Sequence, residues 1–384
     1  MNTFALLPDM PSFLDAVYDD VRRARERVSV ECYIFREDRL GREFADLLVA
    51  AAERGVPTRL LYDPFGSQEA GERFFDALRL RGLDVKPYRD RVPRLGPLSL
   101  ATRNHARNLV IDGAAYAGGI AWADPWLPRE RGGGGWYDVA VRATGPVVED
   151  FAAAFEQRWA DDLDRRPRDF DTLDRHPDVR LVSDSPARES LVFNLHVDRF
   201  HRARERIWLA HSYFFPPARM LDALAAAAAR GVDVRVVMPG ASDLPIVARA
   251  ARAAYLDWTA AGLRVFEYQP ALMHAKYAVV DGDWATVGSF NANATSLLWA
   301  VELNPFVSAP GFVAELARHF EHDLAHSREV RPEEVRARTF VTREIDHFYR
   351  AVMALTNTIL GPRHKGSTPG PRAHGVPRQQ PEGQ

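Results

Sequence analysis

Residues 274–291 read HAKYAVVDGDWATVGSFN, the pattern H-x-K-x4-D-x6-G-S-x-N with six fixed positions in eighteen. The run that begins at His274 is rich in Val and Tyr, which predicts a β-strand. Side chains two residues apart on a strand share a face, so His274 and Lys276 point the same way. An imidazole and an ammonium group at this spacing indicate a pocket for a phosphate.

The same stretch predicts a hairpin that adds two more polar groups to this face. An Asp-Gly pair in its middle is a strong turn signal, and a returning strand follows it. With a two-residue loop, Lys276 is expected opposite Ser289 and His274 opposite Asn291. Asp281 then points to the other face, which makes it a turn and supporting group and not a reactant.

An altered copy of the motif lies earlier in the chain. His105 and Arg107 occupy the histidine and lysine positions, and Asp112 occupies the turn position. The asparagine position holds Ala121, or Trp122 in a gapless alignment, and the hairpin is one residue shorter than its twin. A one-residue change reverses the face of a strand unless a bulge corrects it. We therefore expect this copy to supply only its histidine and its arginine.

The repeat extends well beyond the motif. Arg25 corresponds to Arg204 and His105 to His274, with offsets of 179 and 169 residues. Each copy has the pattern of helix, strand, helix, strand and then the hairpin. This predicts an α/β fold of two tandem similar domains, each a mostly parallel mixed β-sheet flanked by helices.

Composition sets the expected boundaries. The first domain is predicted at residues 1–165 and the second at 186–340, joined by a linker rich in Asp, Arg and Pro at 161–185. A C-terminal helix is expected at 341–361. A tail without periodicity at 362–384 is predicted to be disordered.

An apolar stripe at helical spacing runs along the predicted C-terminal helix. Its members are Ile345, Phe348, Val352, Leu355 and Ile359. Such a stripe could lie on a bilayer surface, but packing against the protein core is the commoner reason, so we expect core packing.

Composition also narrows the class of protein. A net charge of −2 gives no case for nucleic-acid binding, so nucleic acid is an unlikely partner. The single cysteine, Cys32, excludes an intramolecular disulfide and fits a reducing compartment. No apolar run is long enough to span a bilayer. We expect a cytoplasmic protein that is soluble or peripheral on the inner membrane face.

The two motifs resemble those of the phospholipase D superfamily, whose members carry two such motifs at one shared active site. Four flanking segments are similar to bacterial cardiolipin synthases that lack N-terminal membrane helices, namely residues 29–35, 136–146, 262–281 and 288–304. The resemblance implies pseudo-two-fold symmetry, with His105 and His274 on opposite sides of one phosphodiester.

The resemblance also implies a role for each site residue. One histidine attacks phosphorus to form a phosphohistidine and the other acts as acid and then base, and the sequence leaves their assignment open. The implied phosphate-binding residues are Lys276, Arg107, Ser289 and Asn291. The implied orienting carboxylates are Asp138 and Glu302, with Asp112 and Asp281 as supporting groups. No metal or cofactor is implied.

Three functions remain open at this point. The first is phosphatidyl transfer or hydrolysis on anionic phospholipids such as phosphatidylglycerol at a membrane surface. The second is a nucleic-acid phosphodiesterase, because the approach to the first motif is basic, with Lys86, Arg89, Arg91, Arg94 and Arg103. The third is a catalytically impaired phospholipid-binding member, because the first motif is altered.

Overall fold

Two β-sheets flanked by helices make up the part of the chain that the computed structural model describes, residues 1–88, 103–160, 169–170, 176–184 and 190–360. The first half contains β1 (Thr3–Leu7), α1 (Met10–Arg23), β2 (Val28–Cys32), α2 (Arg39–Glu53), β3 (Thr58–Tyr62), α3 (Gly71–Leu80), β4 (Asp84–Pro87), β5 (Arg103–Asn104), β6 (Asn108–Ile111), β7 (Ala114–Gly118), β8 (Ala140–Thr144) and α4 (Val148–Trp159).

The second half follows the same plan with additional elements at both ends. It contains β9 (Asp169–Phe170), β10 (Val179–Ser183), α5 (Leu191–Arg202), β11 (Arg206–His211), α6 (Ala218–Ala229), β12 (Asp233–Pro239), α7 (Pro245–Ala260), β13 (Arg264–Tyr268), β14 (Lys276–Val280), β15 (Trp284–Val287), α8 (Ala294–Trp299), β16 (Ala300–Val301), β17 (Leu303–Val307), α9 (Pro310–Ala325), β18 (Ser327–Glu329), α10 (Pro332–Arg336) and α11 (Phe340–Leu360).

The predicted mixed α/β class is confirmed, but the emphasis on parallel pairing is wrong. The strand orders are β1-β8-β7-β6-β2-β3-β4 and β18-β13-β12-β11-β14-β15-β17-β10-β9. Parallel pairs in these sheets occur only among β2, β3 and β4 and among β11, β12 and β13, where helices make the crossovers. The remaining pairs are antiparallel, and they include the two motif hairpins β6–β7 and β14–β15, whose short turns can join only antiparallel neighbours.

The stretch predicted as a linker also contributes to a sheet. β10 pairs with β17, and β9 pairs with β10. β9 and β10 therefore extend the edge of the second sheet. The rest of that stretch, at 161–168, 171–175 and 185–189, lies outside the described residues. So does the predicted disordered tail.

Three apolar clusters hold the described structure together. One lies within each half, and Cys32 is buried in the first of them. The third lies between the halves, where Phe151 and Phe155 join Trp208 and Phe320 in one buried cluster. The two halves are therefore packed face to face, which fixes the relative position of their motif hairpins.

The motif hairpin of the second half differs in register from the prediction. Val280 pairs with Trp284, so three residues form the loop, and Lys276 lies opposite Gly288 instead of Ser289. Asp281, the first residue of this loop, has a φ of 52°, a left-handed conformation that aspartate adopts more readily than most residues. The extra loop residue explains the one-residue error.

Each motif aspartate caps the turn that precedes the first parallel strand of its own half. The Asp112 carboxylate accepts backbone N–H groups from residues 25, 26 and 27, and Asp281 accepts those of residues 204, 205 and 206. These donors lower the pKa of both carboxyls, although partial burial opposes them. Both carboxylates are therefore occupied by backbone donors of their own half.

Candidate active site

Each motif histidine is held by a carboxylate of the other half. His105 Nδ1 lies 3.0 Å from Glu302 Oε2, and His274 Nδ1 lies 2.7 Å from Asp138 Oδ2. A carboxylate at Nδ1 fixes the tautomer that leaves Nε2 unprotonated and free to act. The sequence identified both carboxylates but not this crossed arrangement.

The backbone repeats the crossed arrangement. β5, which leads to His105, pairs in parallel with β16, which leads to Glu302, and the His105 N–H donates to the Val301 carbonyl at 3.0 Å. In the same way, the His274 N–H donates to the Tyr137 carbonyl at 2.7 Å. Both pairs obey the same pseudo-two-fold relation, so the halves form one shared site.

The two histidines line a cavity of about 390 Å³ that both halves enclose. Its walls include four large aromatic side chains, Tyr33, Trp126, Trp136 and Tyr213. The ring centroid of Trp126 lies 5.0 Å from that of His274, and the Tyr33 centroid lies 4.9 Å from that of His105. Aromatic walls lower the local dielectric constant and so strengthen electrostatic interactions inside the cavity.

The two motif cations occupy equivalent positions. Arg107 Nη1 donates to the carbonyl of His105 at 2.6 Å, and Lys276 Nζ donates to the carbonyl of His274. Arg107 is 3% exposed and lines the cavity, and its Nε and Nη2 have no partner among the described residues. Buried donors without partners are rare, and a planar guanidinium is suited to bind phosphate oxygens.

Ser289 does not occupy the phosphate-binding position that the sequence assigned to it. It is fully buried, and its hydroxyl donates to Glu302 Oε2 at 2.5 Å. A hydroxyl has one proton, so this serine supports the carboxylate of His105 and has nothing left to donate to a phosphate. Asn291 does line the cavity, and its Oδ1 accepts from Ser212 at 3.2 Å, which leaves its NH2 group for a ligand.

In the first half a tryptophan supplies the donor that the motif lacks. Gly119 stands at the serine position, where an added Cβ would lie 2.4 Å from Asp138 Oδ1. The indole Nε1 of Trp126 instead donates to Asp138 Oδ2 at 3.0 Å. The sequence analysis did not identify Trp126, because this residue lies outside the motif. Its position in the chain between the first hairpin and Asp138 was the only available sign of a contact with this carboxylate.

The positions that follow Gly119 provide no amide. Ile120, Ala121 and Trp122 are all buried in the apolar cluster of the first half. The first half thus contributes His105 and Arg107 to the cavity but no counterpart of Asn291, in line with the expectation from its shortened hairpin.

Burial lowers the pKa of both histidines. The pKa of His105 falls to about 4 and that of His274 to about 3, with the cations Arg107 and Lys276 adding to the effect and the carboxylates opposing it. Burial also lowers the pKa of Lys276 to about 7. Burial alone would raise the pKa of Asp138 and Glu302, but their histidine partners outweigh it and lower both. Both histidines are therefore neutral near pH 7.

Two half-sites of this kind, joined across docked α/β halves, define the phospholipase D class of phosphatidyltransferases. Residues 197–324 match the family described as cardiolipin synthase, PLD-like domain. Cardiolipin synthase A of Pseudomonas fluorescens (strain ATCC BAA-477) is 31% identical over 347 residues, which cover 87% of this chain and 71% of that protein. Cardiolipin synthase 2 of Bacillus anthracis is 29% identical over 350 residues, covering 88% and 68%. The chain belongs to the cardiolipin synthase family.

A solved structure supports the fold independently of sequence. Phosphatidylserine synthase of Haemophilus influenzae superposes with a TM-score of 0.73 at 13% identity, covering 93% of this chain and 94% of that one. Among the described residues, no helix is long and apolar enough to cross a membrane.

The basic approach that suggested a nucleic-acid substrate is described only in part. Arg103 lines the cavity, whereas Lys86 donates to the carbonyl of Trp159 at 2.5 Å. Arg89, Arg91 and Arg94 lie outside the described residues.

Proposed function

We propose that the protein transfers a phosphatidyl group between anionic phospholipids and makes cardiolipin from two molecules of phosphatidylglycerol. The observation that carries this proposal is the pair of histidines, each held by a carboxylate of the other half, on one enclosed cavity. Membership of the cardiolipin synthase family supplies the substrate class.

The reaction then has two symmetric steps. In the first, the neutral Nε2 of one histidine forms a bond to phosphorus while the bond from phosphorus to the glycerol oxygen breaks, and the second histidine, protonated, gives its proton to that oxygen. In the second, the hydroxyl of the acceptor lipid loses its proton to the second histidine and bonds to phosphorus, which breaks the phosphorus–nitrogen bond. Charge and atoms balance over the cycle without a further reactant.

Binding of the substrate prepares the required protonation state. Burial lowers the pKa of both histidines, so both are neutral near pH 7 before substrate binds. A phosphodiester brings a negative charge beside both rings, which raises their pKa and allows one of them to carry the proton. The carboxylate at Nδ1 stabilises the imidazolium that forms, through Glu302 for His105 and Asp138 for His274.

The charge of the reacting phosphate is held by groups from both halves. The free Nε and Nη2 of Arg107 and the NH2 group of Asn291 are available to its non-bridging oxygens. The ammonium of Lys276 lies within 3.1–3.2 Å of the ring nitrogens of His274, where it adds positive charge beside the reacting atoms.

The proposal is tested by lipid mass spectrometry after incubation with phosphatidylglycerol vesicles. Wild type should form cardiolipin, and His105→Ala should form none. His201→Ala, which removes an exposed histidine outside the site, is the matched control and should behave as wild type. If phosphatidic acid were the sole product, the reaction would be hydrolysis and not phosphatidyl transfer. The absence of any conversion by folded wild type would overturn the proposal.

A further inference from the structure

Among its described side chains, the C-terminal helix α11 packs against the second half by one side. Tyr349 and Met353 contact the apolar cluster of that half, and Asp346 is buried between Arg249 and Arg338 at 3.2 and 3.6 Å. These positions recur at helical spacing and define the inner side of the helix. They are sufficient to fix its orientation on the protein.

The opposite side of α11 carries an exposed apolar stripe. Its members, called here the α11 stripe, are Val341, Ile345, Phe348, Val352 and Leu355, and they are 65%, 41%, 64%, 40% and 58% exposed. The expectation that this stripe packs on the core is therefore wrong for these residues, because the inner side already makes that contact. The side chain of Ile359 lies outside the described set. A contiguous exposed apolar surface of this kind marks an interaction site.

The helix that carries the α11 stripe also lines the catalytic cavity. Met353, the neighbour of Val352 in the chain, lines that cavity together with Leu244 and Val247. Leu244 and Ile246, at the start of α7, are themselves 46% and 47% exposed. Exposed apolar side chains thus occur on α11 and at the start of α7, and both of these segments also contribute residues to the space that holds both histidines.

The sequence after α11 favours an anionic lipid surface as the occupant. Residues 361–384 contain four lysines and arginines against one glutamate, and basic segments next to an amphipathic helix are attracted to anionic lipid headgroups. The same segment contains a single large apolar residue, Val376, so it has too little apolar surface to cover the stripe itself. A second copy on the stripe would crowd the cavity mouth that a two-chain lipid has to enter.

We propose that the α11 stripe, with Leu244 and Ile246, is the surface by which the protein lies on an anionic phospholipid bilayer. Headgroups enter the catalytic cavity beside Met353 while the acyl chains stay in the membrane. The inference rests on the proposed function, because it assigns the route by which the lipid substrate reaches that site.

The test combines vesicle sedimentation with activity in two lipid formats. The variant is Ile345→Ser/Phe348→Ser/Val352→Ser, and the matched control is Leu80→Ser, which removes a leucine that is 90% exposed at the end of α3. On vesicles containing phosphatidylglycerol we expect at least about tenfold weaker binding and conversion for the triple variant, and wild-type behaviour for the control. On detergent-dispersed phosphatidylglycerol all three proteins should react alike.

Separate outcomes distinguish the two proposals. If the triple variant sediments with vesicles as wild type does, the proposed docking surface is wrong. It is also wrong if wild type is a dimer that the substitutions convert to a monomer while vesicle binding is unchanged. Wild type that binds vesicles through the stripe but converts lipid in neither format would support the surface and overturn the proposed function.

Discussion

The two halves of the molecule reach the same geometry with different side chains. In the second half Ser289 supports Glu302, whereas in the first half Trp126 supports Asp138 in the space that Gly119 leaves. The carboxylates are exchanged, so each half supports the histidine of the other. Loss of Ser289 therefore acts on His105, and loss of Trp126 acts on His274.

The comparison also shows which positions tolerate change. The cation may be a lysine or an arginine, since both donate to the carbonyl of the preceding histidine. The amide of Asn291 has no equivalent in the first half. The two half-sites are thus equal in their histidines and unequal in their phosphate contacts and in the donors that support their carboxylates.

The largest expected effect comes from the histidines themselves. His105→Ala and His274→Ala should each lower turnover by at least about 10⁴-fold, because each removes a reacting group. With a diester that has a good leaving group, only the variant that retains the nucleophile should accumulate a covalent phosphohistidine, which intact-protein mass spectrometry detects. Covalent protein in both variants would contradict the division of roles between the halves.

The crossed carboxylates come next. Asp138→Asn and Glu302→Gln should each lower kcat/KM by about 10²–10⁴-fold, since the correct tautomer and the charge that stabilises the imidazolium are lost. Each carboxylate raises the pKa of its histidine, so its removal lowers that pKa further. One variant should therefore shift the acid limb of the pH–rate profile to lower pH, and the other the alkaline limb.

The limb that moves identifies the role of the histidine in the opposite half. If both limbs shifted identically in both variants, the two histidines could not be assigned separate roles as nucleophile and acid.

The supporting donors should have a smaller effect. Ser289→Ala and Trp126→Phe each remove one hydrogen bond to a buried carboxylate, which corresponds to about a tenfold loss of kcat/KM. Gly119→Ser restores the motif residue, yet its Cβ would lie 2.4 Å from Asp138 Oδ1, so activity should fall further instead of improving. Steady-state kinetics on folded protein measures this effect. A Gly119→Ser variant more active than wild type would contradict the inference that Trp126 replaces the missing serine.

The turn aspartates should affect stability equally in the two halves. Asp112→Ala and Asp281→Ala each leave backbone N–H groups without their acceptor, at a cost of about 1–2 kcal/mol in the free energy of unfolding. The folded-state pKa of both carboxyls is lowered, so their contribution is complete above the ordinary carboxyl range and is lost as the pH falls below it.

Urea unfolding at pH 7 and pH 3 measures this dependence. The difference between each variant and wild type should shrink at the lower pH, and a difference that grew would contradict the capping role.

Much of the fold and of the site could be predicted from the sequence because the information is local or periodic. The duplication, the mixed α/β class and both histidine motifs follow from spacing alone. The crossed pairs could not be predicted, because 197 residues separate His105 from Glu302 and 136 separate His274 from Asp138, with no local pattern to join them. The hairpin register failed by one residue because two- and three-residue loops share the same Asp-Gly signal.

The exposed α11 stripe illustrates a different limit. An apolar stripe has the same periodicity whether it faces a core or solvent. Only the position of Tyr349 and Met353 on the inner side reveals that the helix has a second apolar side.

The exchanged backbone hydrogen bonds have a consequence for the order of events in folding. The N–H groups of His105 and His274 each find their acceptor on a strand or loop of the opposite half, at Val301 and Tyr137. Either half may form its own sheet first, but neither histidine can be positioned until the other half has docked. During refolding, activity should therefore recover later than secondary structure, because the active site is complete only after the two halves have docked.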